Sequence, residues 1–265
     1  MDALTVAIAA AREAGALICR QFHQPNKVAL KGPSDIVTQV DRDAENLIVA
    51  RIRSAFPDHQ FMAEEGHAPE RDSEYLWVID PLDGTTNFAL GIPHFAVSIA
   101  LARRGRAVLG VVYDPVQDET FVAEAGQGAQ LNGCRILCAR KATMSETALA
   151  LGYLPTHYNH NPGLALPILL RLYPLVESIR IMGSAAMNLA YVACGRFDIC
   201  YNDYLNPWDV MAGALLVEEV GGMATDFAGQ PIALDTHSIL AANDPAYYRQ
   251  AFGVVQQVLA DPRRR

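Results

Sequence analysis

Apolar residues recur at helical spacing near the start of the chain. Leu4, Ile8, Ala11, Leu17, Ile18 and Phe22 share one side of residues 3–23, with Arg12, Glu13 and Arg20 elsewhere. This predicts an amphipathic helix that Pro25 ends. Lys31-Gly32-Pro33-Ser34 then reads as a loop. A second helix is predicted over 41–55, with Ala44, Leu47, Ile48, Ile52 and Ala55 on one side and Phe56-Pro57 at its end. The pattern next changes to short apolar or β-branched runs at 61–63, 75–79, 96–102, 107–113 and 120–123, separated by Gly, Pro or Asp. Sequential strands with few intervening helices predict an antiparallel sheet. From about residue 145, strand-like runs at 179–182 and 197–201 alternate with helical ones at 184–194 and 207–220. The chain thus divides into residues 1–143, an α+β portion carrying the antiparallel sheet, and residues 144–265, an α/β portion. No linker, repeat or low-complexity segment separates them, so they are expected to pack as one unit.

Length and composition narrow the picture. The 265 residues allow one large domain or two subdomains around a shared core. About half are apolar and about a fifth charged, ordinary for a globular protein. No run is long and apolar enough to span a membrane, and Met1-Asp2-Ala3-Leu4 does not start a signal peptide, so a cytoplasmic protein is expected. A net charge of -8 gives no electrostatic footprint for nucleic acid or anionic membrane. It does not exclude an anionic substrate, because bound cations invert the charge of a site. Arg263-Arg264-Arg265, the basic run, reads as a solvated tail. The cysteines are Cys19, Cys134, Cys138, Cys194 and Cys200, an odd set without a second closely spaced pair. Neither a disulfide framework nor a zinc site is expected, and the thiols read as buried.

Candidate chemistry concentrates in Trp77-Val78-Ile79-Asp80-Pro81-Leu82-Asp83-Gly84-Thr85-Thr86-Asn87-Phe88. A strand runs into Asp80, Pro81 stiffens the turn and Gly84 permits a tight bend. Two carboxylates three apart at a strand end can converge on one hard cation, and Asp80, the Leu82 carbonyl and Asp83 are oxygen donors of the kind Mg²⁺ takes. Gly84-Thr85-Thr86 offers N–H groups and hydroxyls to phosphate oxygens at a helix start. Alone, an Asp-Gly pair is an ordinary turn; the whole string is far more specific. Ala63-Glu64-Glu65-Gly66 follows an apolar run and could add carboxylate to a dinuclear site, or be a solvated acidic turn. In Asn206-Pro207-Trp208-Asp209, Asn206 suits an N-cap and Pro207 the first helical position, placing Asp209 in the first turn. There it could serve a site or merely complement the helix dipole. Gly183-Ser184-Ala185-Ala186-Met187-Asn188 gives another helix start capped by Ser184. His94 lies close to the main string and reads as structural.

In this order, these elements resemble the inositol monophosphatase family, whose marks are an acidic Glu-Glu pair, a Trp-x-Ile-Asp-Pro-x-Asp-Gly-Thr-x-Asn string, and a late Trp-Asp followed by Gly-Gly, here Gly221-Gly222. Asp35-Ile36-Val37-Thr38-Gln39-Val40-Asp41 resembles the family's Asp-x-Val-Thr-x-x-Asp segment. The resemblance covers roughly residues 5–245. It implies an α+β fold, a layered αβαβα sandwich, as a homodimer. It further implies two to three Mg²⁺ per site: Glu64, Asp80 and the Leu82 carbonyl around the first, Asp80, Asp83 and Asp209 around the second, and a weaker third near Glu64 through water. Glu64 and Thr85 would orient the attacking water, Asp41 would hold Thr85, and Gly84, Thr85, Gly183, Ser184 and Ala185 would line phosphate and substrate. Lys31 aligns with a mobile-loop lysine across a one-residue gap.

One position departs from the pattern. Inositol-handling members carry a Glu seven residues before the Trp-Asp aspartate, where it accepts hydrogen bonds from substrate hydroxyls; here Asn202 stands there, followed by Asp203. Asn202 donates as well as accepts and brings no charge. The expected activity is lithium-sensitive, Mg²⁺-dependent hydrolysis of a small phosphorylated polyol or sugar, with inositol 1-phosphate first. Histidinol phosphate, fructose 1,6-bisphosphate and bisphosphate nucleotides, substrates elsewhere in the superfamily, are the alternatives. A different class of role, a partner-binding protein that keeps the fold, stands beside them, because some bacterial relatives join transcription or ribosome-assembly complexes.

Overall fold

The computed structural model describes residues 2–22, 24, 28–32, 35–69, 73–138, 141–152 and 163–261, with backbone alone over 28–32 and 35–38. Helix α1 (Ala3–Gln21) begins where the Asp2 carboxylate accepts the Thr5 N–H at 2.8 Å. A short antiparallel hairpin, β1 (Val28–Gly32) and β2 (Asp35–Thr38), leads into α2 (Gln39–Ala55). Next come β3 (Gln60–Ala63), β4 (Tyr75–Asp83), α3 (Thr85–Leu90), β5 (Ala96–Arg103), β6 (Arg106–Asp114), β7 (Glu119–Glu124), β8 (Gly128–Leu131) and β9 (Cys134–Arg135). The remainder is β10 (Ala148–Leu151), α4 (Ala165–Leu172), β11 (Ser178–Ile181), α5 (Ala185–Ala193), β12 (Ile199–Asp203), α6 (Pro207–Glu219), β13 (Met223–Thr225), β14 (Ser238–Ala242) and α7 (Pro245–Leu259).

Strands β3 to β9 form a seven-stranded sheet in chain order, and β11-β10-β12-β14-β13 form a five-stranded one. Side chains alternate across each sheet, and that alternation assigns every helix a layer. Trp77 and Ile79 of β4 join the cluster holding Ala7, Ala14 and Ile18 of α1 and Ile48 and Ile52 of α2. Leu76 and Val78 point the other way, to Met187 and Leu189 of α5 and Met211 and Leu215 of α6. That same middle layer takes Ala150, Cys200, Ile239 and Ala241 from the second sheet. Leu149, Leu151, Ile199, Tyr201 and Leu240 face outward onto Ile168 of α4 and Val255 of α7. The fold is therefore a layered αβαβα sandwich. Because α6 lies between two sheets it is apolar all round over residues 210–217, as a doubly buried helix must be. It also lies close: a Cβ on Gly110 of β6 would stand 2.7 Å from the Ala212 carbonyl oxygen.

Several expectations are corrected. The first sheet is mixed, since β3 pairs with β4 in parallel. Lys31 and Gly32, read as loop, lie in β1. The alternating pattern missed β10, α4, β13, β14 and α7. Of the cysteines only Cys200 is buried, and Cys134 is exposed. His94 is buried, at 7% exposure. No helix among the described residues is long and apolar enough to cross a membrane. Pro25, Pro33, Ser34, the Lys31 side chain and Arg263-Arg264-Arg265 lie outside what is described.

Candidate functional site

Strand β4 delivers the main string. Asp80 is opposite Ser98 of β5 and Asp83 is opposite Ala96, so three steps along β4 match two along its partner. This bulge sits at Pro81-Leu82, where a ladder N–H is missing in any case. It turns Asp80 and Asp83 to the same end of the strand. An Asp80 carboxylate oxygen accepts the Leu82 N–H at 2.9 Å. Gly84 follows with φ +94 and starts α3, since a Cβ there would stand 3.1 Å from the His94 carbonyl oxygen and 3.3 Å from that of Gly183. Thr85 Oγ1 lies 3.1 Å from Asp41 Oδ1 on α2 and 2.9 Å from the Leu82 carbonyl oxygen, and its single proton serves one of them at a time.

The second half of the chain closes on this string. Both Asp83 oxygens receive the start of α5: Ala185 N–H at 3.2 Å, Ala186 N–H at 2.7 Å, and the Ser184 hydroxyl. Ser184 Oγ in turn accepts the Met187 N–H at 3.2 Å, so it caps α5 while tying it to β4. Asn87 Nδ2 donates to both the His94 and the Met182 carbonyl oxygens at 2.7 Å. Helix α6 brings Asp209 in its first turn, where Asp209 Oδ2 accepts the Asn206 N–H at 2.8 Å. The Ser98 hydroxyl donates to the Trp208 carbonyl oxygen at 3.1 Å, pinning that turn to β5.

The carboxylates oppose one another. Asp80, 2% exposed, is pushed well above the usual carboxylate range by burial and then by the charges of Glu64, Asp83 and Asp209. Asp209 is pushed well above it by burial, against the Asn206 N–H bond, with Asp83 and Glu64 adding repulsion and a hydrogen bond to Asp80 opposing it. Asp83 is raised by burial to about 6, although Ser184, Ala186 and Ala185 all favour its charged form. Among the described residues no three His, Cys, Asp or Glu side chains form a ready-made coordinating group, and Asp83 and Asp209 give oxygens to backbone N–H groups. The donor set nevertheless fits a hard divalent cation. It is all oxygen, Asp80 and Asp83 are buried with Glu64 and Asp209 half-buried beside them, and the repulsion among the carboxylates is the kind of strain that a positive charge relieves.

The structure thus gathers Glu64, Asp80, Leu82, Asp83, Asp209, Thr85 and Asp41, with Gly84, Gly183, Ser184 and Ala185 beside them. Asn202, expected against substrate, is instead 4% exposed, its Oδ1 accepting the Gly152 N–H at 2.8 Å. Asp203 accepts the Leu164 N–H at 2.7 Å. Sequence reasoning missed Glu45. This residue lies on the buried face of α2, where an acidic side chain one turn after Asp41 and beside Ala44 and Ile48 was a usable signal.

A sequence model of the inositol monophosphatase family matches residues 2–260. A relative in Escherichia coli K12 with the name Nus factor SuhB is 42% identical over 265 residues, covering 99% of this chain and 98% of its own. An inositol-1-monophosphatase of Mesorhizobium japonicum is 43% identical over 244 residues, 91% of each chain. Among solved structures, a Thermotoga maritima IMPase superposes with a TM-score of 0.88 at 38% identity, covering 98% of both chains. The extragenic suppressor protein suhB of Bartonella henselae does so with a TM-score of 0.89 at 39% identity, covering 96% of this chain and 98% of that one.

Proposed function

The chain belongs to the inositol monophosphatase family, and from that premise we propose that it hydrolyses a small phosphate monoester with Mg²⁺ as cofactor. The observation that carries this reading is the convergence of buried Asp80 and Asp83 with half-buried Asp209 and Glu64 at the end of a bulged strand, where burial raises the pKa values of the three aspartates and neighbouring carboxylates raise those of Asp80 and Asp209 further. Glu64, Asp80 and the Leu82 carbonyl would hold one Mg²⁺, and Asp80, Asp83 and Asp209 a second, with a weaker third near Glu64. When bound, Mg²⁺ supplies positive charge that favours deprotonation of water and offsets the charge of the phosphoryl group.

The protein's own groups do the rest. When Thr85 commits its hydroxyl proton to Asp41, an Oγ1 lone pair is free to orient a water molecule, and the Glu64 carboxylate takes that water's proton. Asp41 is thus a positioning residue for Thr85. Gly84, Gly183, Ser184 and Ala185 line the phosphate and keep the chain close to it. Asn202 would meet substrate hydroxyls with a neutral amide whose Oδ1 already accepts the Gly152 N–H, in place of the charged acceptor that inositol-handling members carry. Inositol 1-phosphate is the first substrate to try, with histidinol phosphate, fructose 1,6-bisphosphate and adenosine 3′,5′-bisphosphate as the comparison set.

The test is inorganic phosphate release from that panel. Release is expected to require Mg²⁺, to fall by roughly a hundred- to a thousandfold in Asp80→Asn, an effect of the size seen when a key electrostatic group is removed, and to be suppressed by Li⁺. Full activity in Asp80→Asn sinks the assignment. The name shared by several relatives, Nus factor SuhB, supports a second reading, a partner-binding role. The same variant separates the two: partners retained by catalytically dead Asp80→Asn show that binding does not depend on hydrolysis.

A further inference from the structure

Helix α2 reaches the site twice. Asp41 and Glu45 stand one turn apart on its buried face, 1% and 2% exposed, beside Ala44 and Ile48. Like charges at this spacing oppose each other on a helix, so two buried carboxylates here need partners that use them. Asp41 has Thr85. Glu45 turns to the other side of the site, to the segment that follows β3. Its Oε2 accepts the Glu65 N–H at 2.6 Å, and its Oε1 lies 2.7 Å from His67 Nδ1. Facing a carboxylate that is already an acceptor, His67 Nδ1 carries the proton and donates.

These bonds bear on Glu64. Its own N–H donates to the Ile79 carbonyl oxygen at 3.2 Å, one residue before Asp80 on β4. The next N–H, that of Glu65, is the one Glu45 holds. The peptide planes on both sides of the Glu64 Cα are therefore held, which restricts its φ and ψ and sets the direction in which its Cα–Cβ bond leaves the chain. His67 closes the turn, since its carbonyl oxygen accepts the Ala63 N–H at 2.8 Å while its ring holds the second Glu45 oxygen. The Glu65 side chain, 3% exposed, lies 3.8 Å from the Arg42 guanidinium.

We propose that Glu45, braced by His67, is a positioning residue that aims the Glu64 carboxylate into the site. Its consequence for catalysis rests on the phosphatase reading above; the clamp itself does not. Glu45→Gln keeps one oxygen for the Glu65 N–H and presents an amide donor to a His67 that has moved its proton to Nε2, so both contacts survive. Glu45→Ala removes both, and His67→Ala removes the brace alone.

Two measurements on the purified full chain decide it. The first is amide hydrogen exchange over residues 60–69, with β14 as the control for an intact fold. Faster exchange at 60–69 is expected in Glu45→Ala, less in His67→Ala, and near wild type in Glu45→Gln, with β14 protected throughout. The second is Mg²⁺-dependent phosphate release. In Glu45→Ala, kcat is expected to drop about 10- to 100-fold, the usual effect of losing a group that supports a metal ligand, with a higher Mg²⁺ requirement and KM changed far less. Glu45→Gln is expected to restore kcat to within a few-fold of wild type. If wild type releases no phosphate, the phosphatase reading fails and the exchange pattern alone judges the clamp. Unchanged exchange at 60–69 in Glu45→Ala, or in His67→Ala should Glu45→Ala not fold, overturns the proposal. So does an active wild type whose kcat and Mg²⁺ requirement survive in Glu45→Ala.

Discussion

Single atoms set the tolerances at the site. Gly183 has φ +81, and a Cβ there would meet Asn87 Nδ2 at 2.8 Å and Oδ1 at 2.9 Å. Gly183→Ala therefore combines left-handed backbone strain with a collision against a side chain that is itself bonded to two carbonyls. Urea unfolding should show a loss of about 2 kcal/mol or more. Adding Asn87→Ala should make the double variant less destabilised than the sum of the singles, because one collision is then counted once. Asp83 makes a second prediction. Its folded pKa, raised by burial to about 6, lies above the ordinary carboxylate value, so the native state keeps a proton that the unfolded chain has released. Without divalent cations its contribution to stability is fully present below the unfolded pKa and is lost as pH rises through about 6, a change of about 3 kcal/mol. Mg²⁺ bound as proposed would compete with that proton. The melting-temperature increase caused by Mg²⁺ should be small at pH 4.5 and largest above pH 7; an increase independent of pH would contradict this.

At the scale of elements, helix starts do most of the assembly. Helix α5 is capped by Ser184, and the same hydroxyl bonds Asp83 on β4, so one side chain both ends the helix and joins it to the strand. Ser184→Ala should cost about 1–2 kcal/mol as a lost cap. It should also move the pH midpoint of the Mg²⁺ response upward, since that bond favours the charged form of Asp83. A stability loss with an unmoved midpoint would make Ser184 a cap and nothing more. Helix α6 is started by Pro207 after Asn206, and its first turn sets Asp209. Helix α2 serves as a third support, with Asp41 and Glu45 reaching opposite flanks of the site.

Across the whole molecule, the middle helical layer couples the two sheets. Helix α6 can approach β6 closely because position 110 has no side chain, and a Cβ there would also stand 3.0 Å from the Ala212 Cα. Gly110→Val should lift α6 from the first sheet. Overpacking of this kind costs about 1–3 kcal/mol, and it should also weaken Mg²⁺ stabilisation, because Asp209 would move relative to Asp80. Gly253 on α7 provides the contrast, since a Cβ there meets nothing within 4 Å. Gly253→Ala should stabilise the protein by about 0.5–1 kcal/mol without touching the Mg²⁺ response. Calorimetric melts with and without Mg²⁺ distinguish the two outcomes.

Local order was written in the sequence. The period of α1 and α2, the strand that ends in Asp80 and Asp83, and the helix starts at Ser184 and Asn206 all follow from spacing, caps and turn residues within a few positions of one another. The resemblance to a known family added the layered sandwich and the carboxylate set. Other features depended on contacts between distant segments. The parallel pairing of β3 with β4 is fixed by burial across the sheet rather than by either run of residues. Strand β10 is a short run, Ala-Leu-Ala-Leu, and becomes a strand through its partners β11 and β12. Asn202 looked like a substrate contact from its place in the motif, yet the fold turns it toward Gly152. Glu45 belongs to no motif in the sequence, and it gains its partners only where the packed chain brings the segment after β3 within reach of α2. A sequence states which side chains each segment can present; only the packed chain decides which of them meet, because a buried polar group whose needs are not met locally is stable only where a distant segment supplies a partner.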